Sequence, residues 1–523
     1  MTFANAKYIT LTDKQWPIFT GGLITNSEPW MLPYKNTPDA HDFRVNGRWI
    51  SIRFWYIQYG NSFVGTGAPF WIGNYYRSAI ANDRIVIWYK SDWTHYLVSI
   101  DPATWNQTNI NTGALVSSMN RMNFISTNDS LYCMNWVDLM GKLNGTTYTN
   151  PVITYKPSFG AFFDNSLWIS WDPAAPNAIY KSLENNPESY TWTWTDLFTA
   201  EFPITGLAAA WQTLYIFTAN TVDMINNNSI KQIGSSLAYT SIPLEANEGA
   251  INHNCVAVYG KDCFYLSKSL KIKQIVPNGM LYYDVKEISH RANRGINSIM
   301  DNLDPDQSSA FCYVIPEKQL IKWHLKSKNS AYNDVCIVYS PEYDEFMLDT
   351  QKIFFGGVNY RTNNFTIWQA EPKFYRDEYG QTDDDAPIPF RYTSKLLDLW
   401  EPTQHKEIWQ ARTYIQVNSN AVGFTQTIIM DGNVIDTWVI ADADIPKIYW
   451  WIWTSPTWTY PVWTYWWTDV LHNLSIVREK GDLQQRGNYF QVIWTCNNIG
   501  ASVLLQQFTP KLEMLNQLTS STI

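Results

Sequence analysis

The 523-residue chain lacks the short patterns that mark the commonest catalytic and metal-binding sites. Its six cysteines form no CxxC pair, and its seven histidines form neither an HxH nor an HExxH pair. We therefore predict no metal site and no cofactor, and we expect scattered core thiols rather than a disulfide framework. A GxSxG nucleophile elbow and a GxxxxGK[ST] phosphate loop are also missing. The sequence thus predicts a protein that is not an enzyme.

Long apolar runs are absent as well, and basic residues are in the minority. No stretch of about 18 apolar residues exists, so we predict no membrane-spanning helix. The first residues lack the basic start and apolar stretch of a signal peptide, so we expect synthesis in the cytoplasm. The 38 Lys and Arg residues against 47 Asp and Glu residues give a net charge of −9. That balance argues against a protein that grips a nucleic-acid backbone over a large area, although an acidic channel would let DNA slide past.

Aromatic residues and strand-like alternation take the place of helical patterns. Phe, Trp and Tyr make up 16% of the residues, and 27 of them are Trp. Aromatic and β-branched side chains suit half-buried pleated surfaces, whereas segments rich in Ala, Leu, Glu and Lys with a helical period are nearly missing. The sequence predicts an all-β protein, and its length predicts at least two domains.

A short phrase recurs along the chain, in which a polar turn precedes an alternating apolar run. Asn128-Asp129-Ser130 before Leu131, and Asp164-Asn165-Ser166 before Leu167, are typical examples. The first large apolar residues of the seven copies are Ile85, Leu131, Leu167, Leu214, Phe264, Leu320 and Phe365. They are separated by 46, 36, 47, 50, 56 and 45 residues. Because a blade of four short strands needs roughly 40–50 residues, the spacing predicts a β-propeller of six to eight blades over residues 46–382.

Different patterns flank this region. Residues 1–45 contain four prolines with little strand pattern, which predicts an extended N-terminal arm. We expect the arm to dock through its large apolar residues, which are Trp16, Phe19, Leu23, Trp30 and Tyr34. After an acidic linker at 382–387, residues 383–523 show five or six strands, with a hairpin turn at Asp431-Gly432-Asn433. This pattern predicts a C-terminal β-sandwich.

A Trp-rich insertion at 449–469 interrupts the predicted sandwich. Pro456 and Pro461 forbid a regular helix there. One interpretation is a long hairpin that packs on its own sandwich or on the propeller rim. The other is an exposed contact surface for a neighbouring subunit, a glycan or the membrane interface, where Trp is favoured. The candidate contact residues are Trp450, Trp451, Trp453, Trp458, Trp463, Trp466 and Trp467.

One alternating basic stretch lies inside the repeat region. Lys322, His324, Lys326 and Lys328 alternate with Trp323 and Leu325. A strand here would present one basic face, and we expect that face to be solvated rather than to contact phosphate.

Several stretches in chain order resemble the propeller-bearing tail nozzle, or hub, proteins of short-tailed bacteriophages, a family that includes tail tubular and packaged-DNA-stabilising proteins. The matching stretches are 21–29 (GGLITNSEP) with Asn46-Gly47-Arg48-Trp49, 167–173 (LWISWDP) with 186–190 (NPESY), Gly206-Leu207 before 214–218 (LYIFT), 249–251 (GAI), 264–267 (FYLS), 392–394 (YTS), 397–399 (LDL), Lys406, Asp431-Gly432 and 486–491 (RGNYFQ). The Trp-rich insertion departs from the family pattern.

The resemblance implies a structural role in the virion tail, with assembly in the host cytoplasm. A homo-hexameric ring would continue the channel of the portal and adaptor, retain the packaged genome and guide its ejection. The implied partners are the adaptor-side ring, tail fibres or needle proteins, and DNA that passes through without specific binding.

Two other functions stay open. A carbohydrate-binding or glycan-cleaving propeller would use the Trp residues to stack on sugars, although the SxDxGxxW box of sialidase-like propellers is not found. A host-envelope contact protein would act through the Trp-rich insertion.

Overall fold

The structure is a computed structural model. With short internal gaps, it describes residues 7–10, 22–25, 32, 36–58, 69–110, 121–190, 197–441 and 474–514. The chain forms two compact units, one from residues 57–378 and one from residues 1–56 together with 379–523. Among the described residues no helix has the length and apolar character needed to cross a membrane.

Four short strands precede the propeller in the chain. These are β1 (Lys7–Thr10), β2 (Asp39–His41), β3 (Phe43–Val45) and β4 (Ile50–Ile52). All four pair with C-terminal strands or with each other inside the sandwich unit. The expected arm therefore supplies sandwich strands where it is described, and the propeller begins at Ile57 rather than at residue 46. The sequence signal was weak because three of these strands have only three residues each.

Residues 57–378 form seven four-stranded antiparallel sheets among the described residues. Strand β5 (Ile57–Gln58) comes first in the chain but belongs to the seventh sheet. The first three blades are β6 (Pro69–Tyr75), β7 (Arg84–Ser91), β8 (Thr94–Ile100) and β9 (Gln107–Ile110); β10 (Asn123–Thr127), β11 (Ser130–Met134), β12 (Gly141–Asn144) and β13 (Thr147–Thr149); and β14 (Phe159–Phe163), β15 (Ser166–Asp172), β16 (Ala175–Lys181) and β17 (Leu197–Thr199).

The fourth blade carries a small hairpin between its third and fourth strands. Its strands are β18 (Ile204–Ala210), β19 (Thr213–Thr218), β20 (Val222–Asn226) and, after the hairpin of β21 (Ile230–Ile233) and β22 (Ser236–Tyr239), β23 (Ile242–Leu244). The fifth blade has β24 (Val256–Tyr259), β25 (Asp262–Leu266), β26 (Ile272–Asn278) and β27 (Tyr282–Glu287).

The last two blades follow the short helix α1 (Asn297–Asp301). The sixth has β28 (Phe311–Ile315), β29 (Leu320–Leu325), β30 (Val335–Ser340) and β31 (Glu345–Asp349), and the seventh has β32 (Phe354–Tyr360), β33 (Asn363–Trp368) and β34 (Phe374–Asp377) completed by β5. Single 3-10 turns lie at Ile80–Asn82, His253–Cys255 and Pro316–Lys318.

The first strands of successive blades lie side by side, and that of the seventh blade lies beside that of the first. The unit is therefore a closed seven-bladed β-propeller, which confirms the predicted fold and fixes the blade number within the predicted range. Pairing of β5 with β34 closes the ring by combining the two ends of this part of the chain in one sheet.

The recurring sequence phrase corresponds to one place in every blade. Its seven anchor residues all lie on the second strand, and each is at most 5% exposed. Where the preceding turn is Asn128-Asp129 or Asp164-Asn165, both residues have positive φ, between 48° and 58°. That geometry is the type I′ hairpin turn, which favours Asn and Asp and matches the twist of the flanking strands.

The second unit is a two-sheet β-sandwich. Its C-terminal strands are β35 (Phe390–Thr393), β36 (Lys406–Val417), β37 (Thr425–Met430), β38 (Asn433–Val439), β39 (Leu474–Lys480), β40 (Gln485–Gly487), β41 (Phe490–Cys496) and β42 (Val503–Met514). One sheet contains β2-β35-β41-β37-β38, and the other is built on β3-β4-β42-β36-β39. The hairpin predicted at Asp431-Gly432 joins β37 to β38.

Aromatic contacts between the two sheets form the sandwich core. Trp494 of one sheet packs edge-on against Phe508 of the other at 5.9 Å, and Tyr392 packs against Phe43 at 5.6 Å. Gln426 accepts hydrogen bonds from the Trp494 indole at 3.1 Å and from Thr413 across the sandwich at 2.7 Å. The buried amide therefore connects both sheets and satisfies the one polar atom of the large indole.

Candidate functional site

A pocket of about 530 Å³ lies at the axis of the propeller. Its walls come from the first strands of blades one, two, three, four and seven, with the 3-10 turn before blade five completing the ring. The lining residues are Trp71, Ile72, Gly73, Asn74, Tyr76, Asn123, Phe124, Ile125, Ser126, Gly160, Ala161, Phe162, Leu207, Ala208, Ala209, His253, Asn254, Gly357 and Val358. Among these residues there is no Asp, Glu, Lys or Arg, so the lining is polar but carries no fixed charge.

Amide and phenol groups form one end of the pocket, where the first strands of the blades end. The Asn74 Nδ2 group donates to the Tyr76 hydroxyl at 3.0 Å and to the backbone carbonyl of Asn359. The hydroxyl of Ser126 donates to the Tyr76 carbonyl at 2.9 Å. The Asn74 Oδ1 atom is buried and has no hydrogen-bond partner among the described residues. A buried acceptor without a donor is costly, so a hydrogen-bond donor placed at this atom would be stabilising.

A neutral histidine forms part of the opposite end. The His253 ring stacks on Phe159 with centroids 4.8 Å apart, and its Nδ1 accepts a hydrogen bond from the Leu207 amide at 3.4 Å. Burial lowers the pKa of His253 to about 4, so the imidazole is uncharged near neutral pH. Because Nδ1 is the acceptor, the Nε2 atom carries the proton and is a donor.

Two more amides complete this end. The Asn123 Nδ2 group donates to the Ser158 carbonyl at 2.7 Å, which leaves its Oδ1 atom as an acceptor. The side chain of Asn254 makes no hydrogen bond within the described part of the chain. Donors and acceptors are therefore both available around one cavity.

Arg121 lies beside the pocket, against the lining residue Trp71. It precedes β10 in the second blade, yet its guanidinium donates to the carbonyls of Ala310 at 2.8 Å and Ser309, just before β28 of the sixth blade. The guanidinium lies 4.7 Å over the Trp71 ring. Desolvation by burial lowers its pKa to about 10, so it stays charged near neutral pH. Two carbonyls and a ring face contact the positive charge.

A second polar cluster lies between blade six and blade seven, the blade in which the ring is closed. Lys322 Nζ is 2.7 Å from Asp377, 2.8 Å from Glu378 and 3.3 Å from Asp349, and all four side chains are fully buried. The Tyr313 hydroxyl also donates to Asp377. Apolar clusters fill the other interfaces that the structure describes between blades seven and one and from blade one through blade five. The charged cluster is sealed, so it has the character of a structural contact and not of a catalytic site.

His324 and Cys336 also lie in this interface, with 3.8 Å between Nε2 and Sγ. Burial lowers the pKa of His324 to about 3, with the Lys322 charge acting in the same direction. A histidine that stays neutral and is 1% exposed gives no route for a substrate. The pair is therefore not a working nucleophile and base.

The prediction of a solvated basic face is wrong for Lys322 and His324, the first half of the stretch. Lys322 and His324 are both buried, and Trp323 and Leu325 on the other side of the strand are buried as well. Carboxylates from the seventh blade and from β31 neutralise Lys322, and those partners are distant in sequence. Lys326, which follows the strand, pairs with Asp304 at 3.0 Å.

The other sequence-predicted residues divide into two groups. Leu23 is 3% exposed and forms a parallel bridge with Thr37. The remaining candidate arm residues, Trp16, Phe19, Trp30 and Tyr34, and the whole insertion at 449–469 with its seven Trp residues, lie outside the described residues. All six cysteines are free, and five are buried, which confirms the prediction of core thiols. No cluster of three or more metal-ligating side chains occurs in the described ranges.

The axial pocket was not predicted from the sequence, although a recurring glycine marks its wall. Gly160, Gly206 and Gly357 precede the anchors Leu167, Leu214 and Phe365 by seven or eight residues. A Cβ atom at Gly357 would lie 2.6 Å from the Tyr313 ring, and one at Gly160 would lie 2.6 Å from the Trp168 carbonyl. Glycine recurs there because neighbouring strands approach too closely for a side chain.

Comparisons with known proteins give little beyond this topology. No protein-family model matches the chain, and no curated protein matches it. Among solved structures, the WD40 β-propeller domain of Doa1 is 12% identical and covers 61% of this chain and 96% of that domain, with a TM-score of 0.38. YCF48 bound to D1 peptide is 9% identical and covers 65% of this chain and 97% of that one, with a TM-score of 0.37.

Proposed function

We propose that the protein is a structural component of the tail of a short-tailed bacteriophage. Several copies, six by the family resemblance, would form the nozzle or hub ring that continues the DNA channel. The ring would retain the packaged genome and guide its ejection. In this role the protein has no catalytic chemistry of its own.

The observation that carries the proposal is where the family-like motifs fall in the fold. Gly206-Leu207 and Leu214–Thr218 lie on the first two strands of one blade, and Asp431-Gly432 forms the hairpin turn of the sandwich. Tyr392-Thr393 pairs with the N-terminal strand β2. The motifs thus contribute to strands and turns in both units, as motifs that specify a structural framework would.

An exposed sheet edge supports assembly into a ring. Strand β38 pairs on one side only in the part of the chain that the structure describes. Its Val434 and Val439 are 62% and 50% exposed. An unpaired edge with exposed β-branched residues is a surface that another chain can pair with. A subunit interface would protect it.

The axial pocket of the propeller is not the proposed DNA channel. Arg121 bridges blades two and six beside it, and a volume of about 530 Å³ is small for a duplex. The channel would instead be the lumen between subunits, where the net charge of −9 discourages adhesion of DNA.

Antibody labelling of intact virions tests whether the protein is located in the tail. Antibodies against the purified protein should decorate the distal tail of negatively stained particles, and antibodies against the major capsid protein should decorate only the head. Absence of the chain from purified virions, measured by mass spectrometry, would contradict the proposal.

A further inference from the structure

We propose that the axial pocket of the propeller binds a small neutral saccharide through Asn74, Asn123, His253 and Asn254. The inference stands on the pocket alone and does not depend on the tail assignment.

Charge decides which ligand classes fit. The lining contains no ionisable residue other than His253 and Tyr76, and His253 is neutral near pH 7 because its pKa is about 4. Arg121 lies beside the pocket with its guanidinium against two carbonyls and the Trp71 ring. A phosphate or carboxylate would therefore lose its hydration without gaining a charged partner in the lining. An uncharged ligand avoids that cost.

The hydrogen-bonding groups fit hydroxyls. Asn74 Oδ1 is a buried acceptor without a partner among the described residues. Asn123 donates through Nδ2 to the Ser158 carbonyl, so its Oδ1 atom is an acceptor, and the His253 Nε2 proton is a donor. The Asn254 amide offers both functions. A hydroxyl group donates and accepts at once, so a polyhydroxylated ligand can satisfy all four side chains.

Size and apolar surface agree with this class. A volume of about 530 Å³ lies within the roughly 300–1,000 Å³ of pockets that hold small organic ligands. Trp71, Phe124 and Phe162 contribute partly buried rings to the lining. Ring faces pack well on the C–H surfaces of sugars, and the amides would fix their orientation.

Ligand-observed NMR and calorimetry on the full chain test the inference. The probes are glucose, galactose, N-acetylglucosamine, maltose and lactose, with glucose 6-phosphate as the charged counterpart. We expect at least one neutral sugar to bind in a one-to-one ratio, and the phosphorylated sugar to bind more weakly than glucose. If none of the neutral sugars binds, or if the phosphate improves binding, the inference is wrong.

Variants locate the site. Asn254→Ala removes an amide that has no partner in the described fold, so the protein should fold normally and bind the sugar about three- to tenfold more weakly. Asn254→Trp should fill the cavity and abolish binding. The matched control is Asn109→Ala on the outer strand β9, where Asn109 is exposed and affinity should not change. Equal affinity in all four proteins would place the sugar elsewhere and overturn the assignment.

Discussion

Lys322 of the sixth blade and Asp377 of the seventh form a fully buried ion pair, with 2.7 Å between Nζ and Oδ2. Asp377 ends strand β34, and β34 also pairs with β5 at the other end of the propeller sequence. The ion pair therefore joins the sixth blade to the blade in which the ring is closed.

Removal of the cation should destabilise the propeller strongly. Lys322→Met removes the cation from Asp377 and Asp349, whereas Glu378 keeps its ion pair with Lys318, and we expect the free energy of unfolding to fall by about 3–5 kcal/mol. Denaturant unfolding followed by far-UV circular dichroism measures the change. Lys261→Met at an exposed turn is the matched control and should change stability by less than about 0.5 kcal/mol. Equal effects of the two substitutions would contradict the role of the cluster.

Arg121→Lys should weaken the contacts between blades two and six beside the axial pocket. Lysine lacks the planar fork that reaches the Ala310 and Ser309 carbonyls and stacks on Trp71, so we expect a loss of about 1–3 kcal/mol in denaturant unfolding. Arg84→Lys is the comparison, because Arg84 also donates to carbonyls, of Ala81 and Asp83, without a ring contact. A loss at Arg84 as large as that at Arg121 would show that the ring contact contributes nothing.

Stability should fall on mild acidification. His253 and His324 have pKa values lowered to about 4 and about 3, whereas an unfolded histidine titrates near 6.5. Below pH 6.5 the unfolded chain takes up a proton at each site and the folded chain does not. Each site therefore lowers the free energy of unfolding by up to about 1.4 kcal/mol per pH unit.

The measurement is denaturant unfolding between pH 7.5 and 5, above the range where carboxylates titrate. His253→Gln keeps a neutral acceptor for the Leu207 amide but has no proton to gain, so its profile should be flatter than that of the unmodified protein. Parallel profiles for the two proteins would show that His253 is not held neutral.

The exposed edge of the sandwich should govern assembly. Val434→Lys combined with Val439→Lys puts two charges on strand β38, and charged edges resist pairing with another strand. We expect mass photometry to show that rings form only at a protein concentration about tenfold or more higher. That change corresponds to a loss of roughly 1.4 kcal/mol or more in the free energy of assembly. The control pair Val434→Thr and Val439→Thr keeps the β-branched shape and should assemble nearly normally. Normal assembly of the lysine variant would exclude this edge from the interface.

Much of the fold was predictable from local patterns. The all-β class, the propeller and the hairpin at Asp431-Gly432 all depend on turn chemistry and on alternation within a few residues. Leu131 and Leu167 follow turns whose positive φ explains the Asn and Asp in the phrase. Each of these signals lies within one hairpin, so it can be recognised from the sequence alone.

The features that were not predicted depend on contacts between residues that are distant in the chain. The burial of Lys322 requires Asp377, which lies 55 residues away. Pairing of Asp39–His41 with Phe390–Thr393 makes the N-terminal segment part of the sandwich, and three-residue strands show no alternation of their own. The axial pocket likewise combines residues from five blades and from the turn before the fifth blade, so no single stretch of sequence reveals Asn74, Asn123 and His253 as neighbours.

Electron microscopy of the purified protein mixed with adaptor rings from the same virion tests the central claim most directly. The account predicts closed rings that stack on the adaptor, with six copies of the chain and a lumen between the subunits. Particles that remain monomers at every protein concentration, with adaptor rings present and unoccupied, would contradict it.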